Sequence, residues 1–197
     1  MIHSLIFLTF GFGLLSYFTY KKNLGKGLSV KVISYLCEKK IIPPYTEIIE
    51  NLWLGNYVGA RDIDFLRDNN IKLVINLSKN IPNVDLDIDL KLRNKINFYR
   101  VPINDDLSIE SDEGMIKHFD KLYELIDYNL EKGNGVFIHC YAGMQRSATI
   151  VALYLMKKRD ISFKLAEKLI KSKRDIVFFP FAHFKKVINY FSKIWDL

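Results

Sequence analysis

GVFIHCYAGMQRS, residues 135–147, decides how this chain is read. Gly135–His139 has the length and apolarity of a buried strand, and from Arg146 through Lys157 apolar residues recur at helical spacing. His139–Ser147 is therefore expected to be a strand–loop–helix turn. In such a turn the N–H groups of a tight loop converge on one point, and the positive end of the following helix is aimed at the same point, which makes an anion cradle. Ala142 and Gly143 let the loop close, and Gly143 supplies backbone freedom. Arg146 can then offer two parallel N–H donors to phosphate oxygens, which lysine cannot. Cys140 sits at the mouth of the cradle, where a helix N-terminus and a nearby cation lower a thiol from about 8.5 by several pKa units. A thiolate there can attack a phosphate monoester to give a cysteinyl phosphate. Ser147 can donate to the departing sulfur and also cap the helix.

Outward from this stretch, β-rich runs at Glu47–Leu54, Lys72–Leu77 and Asn97–Val101 alternate with amphipathic segments around Tyr57–Asn69 and Glu110–Leu130. From Arg146 to the end the chain reads helical, with a break at Phe178-Phe179-Pro180. Strands alternating with helices, then a helical tail, predict an α/β domain with a central mixed β-sheet flanked by helices. The 197 residues suffice for one such domain and an appendage.

The net charge of +7 is uneven. Residues 21–40 hold 6 lysines against one acid, 41–156 hold 12 basic residues against 17 acidic, and 157–197 hold 11 against 4. No short run interleaves basic and aromatic residues across one face, so nucleic-acid binding is not expected. The C-terminal excess reads as a solvated helix face. Cys37 and Cys140 lie far apart in unlike surroundings, which is not the pattern of a disulfide-stapled secreted domain. No zinc-type Cys/His spacing and no Walker-type glycine loop occurs, so neither a metal nor a cofactor is expected.

Residues 1–20 contain no Asp, Glu, Lys or Arg. As a helix rising about 1.5 Å per residue they just span a hydrocarbon core, so an N-terminal hydrophobic helix anchoring the chain in a membrane is expected. Lys21, Lys22, Lys26 and Lys31 follow it, which places the catalytic domain in the cytosol by the positive-inside rule. A soluble cytoplasmic or a mitochondrial location is the alternative. Residues 21–45 read as a basic linker, ended by Pro43-Pro44, and residues 46–197 as the catalytic domain.

With His139, Cys140, Gly143, Arg146 and Ser147 in place, the chain resembles the cysteine-dependent protein phosphatases, whose signature is H-C-x5-R-S/T, and especially their compact dual-specificity branch. Ala148–Met156 resembles the helix that follows the signature, Asn51–Asn56 the opening strand and Ile71–Leu77 the central strand. The resemblance covers about residues 46–192 and implies a phosphatase-like fold. It also implies a shallow site that accepts phosphotyrosine and phosphoserine or phosphothreonine on protein substrates. It further implies a phosphate-binding loop of His139, Cys140, Tyr141, Ala142, Gly143, Met144, Gln145 and Arg146. His139, ending a strand beside the loop, reads as a supporting residue, and Met144 and Gln145, by their position in the loop, as shaping the rim. The family's general acid, on a loop after a short strand and before a helix, falls on Asp105, with Asp106 the competing choice. Tyr141, Ala142, Met144 and Gln145 are uncharged, which disfavours polyphosphorylated inositides. A membrane-anchored phosphatase of phosphatidylglycerophosphate type, and a catalytically silent phosphate-binding adaptor, are the alternatives.

Overall fold

The structure is a computed structural model that describes the backbone of residues 26–83 and 95–197, with side chains from residue 30 onward in that span. By internal contacts the chain divides into two compact units, Met1–Ile42 and Pro43–Leu197. In the second unit, among the described residues, strands β1 (Tyr45–Ile49), β2 (Leu52–Gly55), β3 (Ile71–Ser78), β4 (Asn97–Ile103) and β5 (Gly135–His139) form one sheet in the order β1-β2-β5-β3-β4. The β1–β2 pair is antiparallel and the other three pairings are parallel. Strands inside a parallel sheet are covered on both faces and read as continuous apolar runs. β5, at the centre, is buried at every residue. Its side chains still alternate, since Val136 and Ile138 join a large core with Leu73, Ile75 and Leu77, while Phe137 joins a smaller one with Val74, Phe65 and Leu66.

The first unit holds helix α1 (Lys26–Glu38). In the second, α2 (Ile63–Asp68) supplies Phe65 and Leu66 to the smaller core, and α3 (Ile109–Glu131), α4 (Arg146–Arg159), α5 (Phe163–Lys173) and α6 (Lys185–Trp195) contribute to the larger one. α3 begins where the Ser108 hydroxyl accepts the Ser111 N–H, with Glu110 and Asp112 beside the positive end of the dipole. Its buried Met115, Phe119, Leu122, Ile126 and Asn129 alternate steps of four and three, one stripe of a helix. α4 differs: every residue from Arg146 to Met156 is buried, as in a helix packed all round, and Lys157, Lys158 and Arg159 complete its negative end.

The elements depart from the sequence prediction in four places. The run Glu47–Leu54 is two strands, because Asn51 turns the chain in the left-handed region at φ 62°, which asparagine tolerates. Tyr57–Asn69 is a short 3-10 turn, Gly59–Arg61, followed by α2. The C-terminal part breaks first at Asp160, φ 52°, ahead of the expected break at residues 178–180. The basic linker predicted over 21–45 is helical from Lys26 to Glu38, where Leu28, Val32 and Leu36 recur at intervals of four among the lysines. The hydrophobic segment 1–20 lies outside the described residues. Among the described residues no helix is long and apolar enough to cross a membrane.

Candidate active site

The parallel sheet aims the C-terminal end of β5 at the N-terminus of α4, and residues 140–145 bridge the two. The carbonyls of this loop are all engaged by protein donors. The Cys140 carbonyl lies 3.3 Å from Nδ1 of His139, and Tyr141 O accepts the Tyr57 N–H at 3.3 Å. Arg174 donates from Nη2 to Ala142 O at 3.2 Å and from Nε to Gly143 O at 2.9 Å. Met144 O accepts the Phe178 N–H at 2.9 Å, and Gln145 O accepts the N–H and hydroxyl of Thr149. A trans peptide is planar, so its N–H points opposite to its C=O. With six successive carbonyls tied outward, the following N–H groups face into the loop. Gly143 permits this closure: its φ is 69°, and a Cβ there would stand 2.6 Å from the Gly55 backbone and 2.8 Å from Nη2 of Arg174.

Cys140 lies at the floor of the loop and is 1% exposed. The Ser147 hydroxyl donates to its Sγ at 3.2 Å. Burial acts to raise the thiol, yet the charge of Arg146 and the hydroxyl and N–H of Ser147 outweigh it and hold the thiol below its ordinary value. Arg146 is 8% exposed, and its guanidinium donates from Nη1 to Ile103 O at 3.0 Å. Its Nε is 3.4 Å from Oδ2 of Asp105, a charge contact out of hydrogen-bond alignment, so this buried N–H has no hydrogen-bond acceptor. A buried donor without an acceptor is costly and suits an oxyanion ligand. His139, stacked on Phe137 and 1% exposed, is held neutral, burial pushing it down to about 4.

The two neighbouring carboxylates face different ways. Asp105 reaches back to the site and contacts Arg146 and, at 2.7 Å from Oδ1, Nδ1 of His183. Asp106 turns to the start of α3, where its Oδ1 accepts the Ser108 N–H and the Ser111 hydroxyl. Hydrogen bonding from Ser108, its side chain first, and from the Ser111 hydroxyl holds its carboxyl below the usual range. Among the described residues no group of three or more His, Cys, Asp or Glu is placed to hold a metal ion.

Three structural facts escape the sequence prediction. Gln145 is not a rim residue: it is 4% exposed, its Nε2 donates to Phe179 O and Phe181 O, and its Oε1 accepts the His183 N–H. Arg174, at the end of a lysine-rich helix, is 2% exposed and also donates from Nη1 to Pro43 O and to the Thr46 hydroxyl. The neighbouring Lys168, Lys171 and Lys173 are exposed, as a solvated face should be. The only sequence signal for Arg174 is its type, since a fork of donors suits several carbonyls at once and an ammonium does not. For His183 there is none.

Residues 52–193 match the family described as "Dual specificity phosphatase, catalytic domain". Dual specificity protein phosphatase 1B of Arabidopsis thaliana is 32% identical over 130 residues, 66% of this chain and 71% of that one. Human dual specificity protein phosphatase 16 is 31% identical over 149 residues, 76% of this chain but 21% of the longer relative. The crystal structure of human DUSP28 has the same fold, with a TM-score of 0.68 at 21% identity, over 79% of this chain and 97% of that one. A family match through strands β2 to β5 and the loop, together with relatives above 30% identity, shows that this chain belongs to the dual specificity phosphatases, the compact branch of the cysteine-dependent protein phosphatases.

Proposed function

We propose that this phosphatase hydrolyses phosphotyrosine and phosphoserine or phosphothreonine on proteins through a cysteinyl phosphate on Cys140. The supporting observation is the loop whose six carbonyls are tied outward around a thiol held below its ordinary value. Inward N–H groups and the Arg146 fork bind the phosphate oxygens. Cys140 Sγ attacks phosphorus, the S–P bond forms as the O–P bond to the substrate breaks, and Asp105 gives its proton to the leaving oxygen. Water then attacks the cysteinyl phosphate, Asp105 takes a proton from that water, and Ser147 donates a hydrogen bond to the departing sulfur. The matched relatives are protein phosphatases, so neither the lipid-phosphatase nor the silent-adaptor alternative is favoured.

The test is acid quench of the full chain mixed with a 32P-labelled phosphopeptide, followed by peptide mapping. Label on the peptide holding Cys140 is expected, and Cys140→Ser should still bind a phosphate analogue such as tungstate while losing turnover more than roughly a thousandfold. Turnover in Cys140→Ser within tenfold of the parent defeats the mechanism. Residues 1–20, free of charged side chains, support membrane attachment with the catalytic domain in the cytosol. The full chain should then stay in the membrane pellet through alkaline carbonate, and its release there removes the anchor.

A further inference from the structure

His183 lies in the segment between α5 and α6, and its Nδ1 is 2.7 Å from Oδ1 of Asp105, 78 residues earlier in the chain. Its side chain is 16% exposed and that of Asp105 is 26% exposed, so the contact is largely shielded from water. The segment that carries it is itself fixed: the His183 N–H donates to Oε1 of Gln145, and Nε2 of Gln145 holds Phe179 O and Phe181 O. The Phe181 ring lies against the imidazole at 5.5 Å between centroids. The titratable and charged groups facing Asp105 are thus the His183 imidazole from this segment, Arg146 from α4 at 3.4 Å from Oδ2, and the Cys140 thiol from the loop, which feels the Asp105 charge.

We infer that His183 is a positioning residue for the general acid, one that decides which oxygen of Asp105 carries the proton. The inference rests on the proposed role of Asp105. With its own proton on Nδ1, His183 donates to Oδ1 of the ionised carboxylate. The same N–H can still donate to Oδ1 when the carboxyl is protonated, provided that the acidic proton sits on Oδ2. Oδ2 is the oxygen on the Arg146 side, toward the phosphate loop. His183 thereby holds one orientation of the carboxyl through both halves of the reaction. Asp105 loses its Oδ2 proton to the leaving oxygen in the first half and regains one from water in the second. His183 neither gains nor loses a proton in either half.

A positioning role of this kind is visible only where the leaving group needs the acid. His183→Ala in the full chain should lower kcat on a phosphoserine peptide about tenfold, a part of the 10²–10⁴ that positioned proton transfer contributes. On 4-nitrophenyl phosphate, whose phenolate leaves without help, kcat should change less than about twofold. Inhibition by orthovanadate and the Tm should match the parent. His183→Asn, which keeps an N–H donor near the position of Nδ1, should recover most of the loss, and keeps the test valid if the alanine variant does not fold. In an Asp105→Asn background, His183→Ala should cost nothing more. Equal losses on both substrates, or a loss that persists beside Asp105→Asn, overturns the inference and makes His183 a support for the loop alone. If Asp105→Asn itself slows both substrates equally, the assignment of Asp105 as the acid falls, and that of His183 with it. A leaving-group dependence in Asp105→Asn but not in His183→Ala removes His183 only.

Discussion

The loop from His139 to Ser147 and the segment from Arg174 to Phe184 meet in space and differ in how they are written. In the loop, each residue placed at the candidate site is adjacent in sequence to the next, and the pattern of a thiol, two small residues and an arginine follows from what an oxyanion demands. In the second segment, Arg174, Phe178 and His183 reach the loop and Asp105 from 31 to 78 positions away, through hydrogen bonds to two loop carbonyls, one loop carbonyl and one carboxylate. Ligand contact is a local property of the chain, whereas the support that gives the contact its shape is assembled from afar.

Two arginine variants break or sharpen that division most strongly. Arg146→Lys should lower kcat/KM by roughly 10²–10³, because a point charge cannot reproduce the fork, and should leave the Tm within about 2 °C. Arg174→Lys should do the reverse. Its four acceptors, Ala142 O, Gly143 O, Pro43 O and the Thr46 hydroxyl, cannot all be served by one ammonium. A buried acceptor left unpaired costs about 1–3 kcal/mol, so the Tm should fall by roughly 5 °C and kcat/KM by only about tenfold. Differential scanning calorimetry and steady-state rates on 4-nitrophenyl phosphate read both. Should Arg174→Lys keep the parent Tm yet lose activity as deeply as Arg146→Lys, Arg174 belongs with the ligand contacts and the division fails.

The effect confined to acid pH concerns His139, which joins the sheet to the loop. Its imidazole is held neutral down to about 4, against 6.5 for the free side chain, because burial penalises the charged form. The unfolded chain takes up a proton below pH 6.5 that the folded chain refuses, so stability present above pH 6.5 is lost as pH falls toward 4, by at most about 3 kcal/mol from this residue. His139→Gln should flatten the Tm-versus-pH curve across that window, whatever it does to the Tm at neutral pH. An unchanged slope would mean that the acid lability comes from elsewhere in the domain.

These contrasts also explain what could be read from the sequence. Gly135–His139 and the amphipathic stripe of α3 were legible because burial imposes a period on neighbouring residues. In the sequence, the preference for Asp105 over Asp106 rests on a family resemblance alone, since both carboxylates stand on one polar loop before a helix. What separates them, the Ser108 and Ser111 hydrogen bonds to Asp106, depends on how that loop turns. The burial of Arg174 was hidden by Lys168, Lys171 and Lys173, whose charges suggest one continuous solvated face. Gln145 looked like a rim residue by position, and its fixing of residues 179–183 needed the third dimension.

Half of the outward ties of the loop come from Arg174 and Phe178, which follow it in the chain. Two of its carbonyls wait for Arg174 and one for Phe178, so a chain that has emerged only as far as residue 173 holds its thiol in a loop that lacks half of its fastenings. The neighbours that acidify Cys140, Arg146 and Ser147, are already present at that stage, but without the closed loop they have no fixed distance from the sulfur. The geometry that lowers the Cys140 thiol thus depends on residues that follow the loop in the chain.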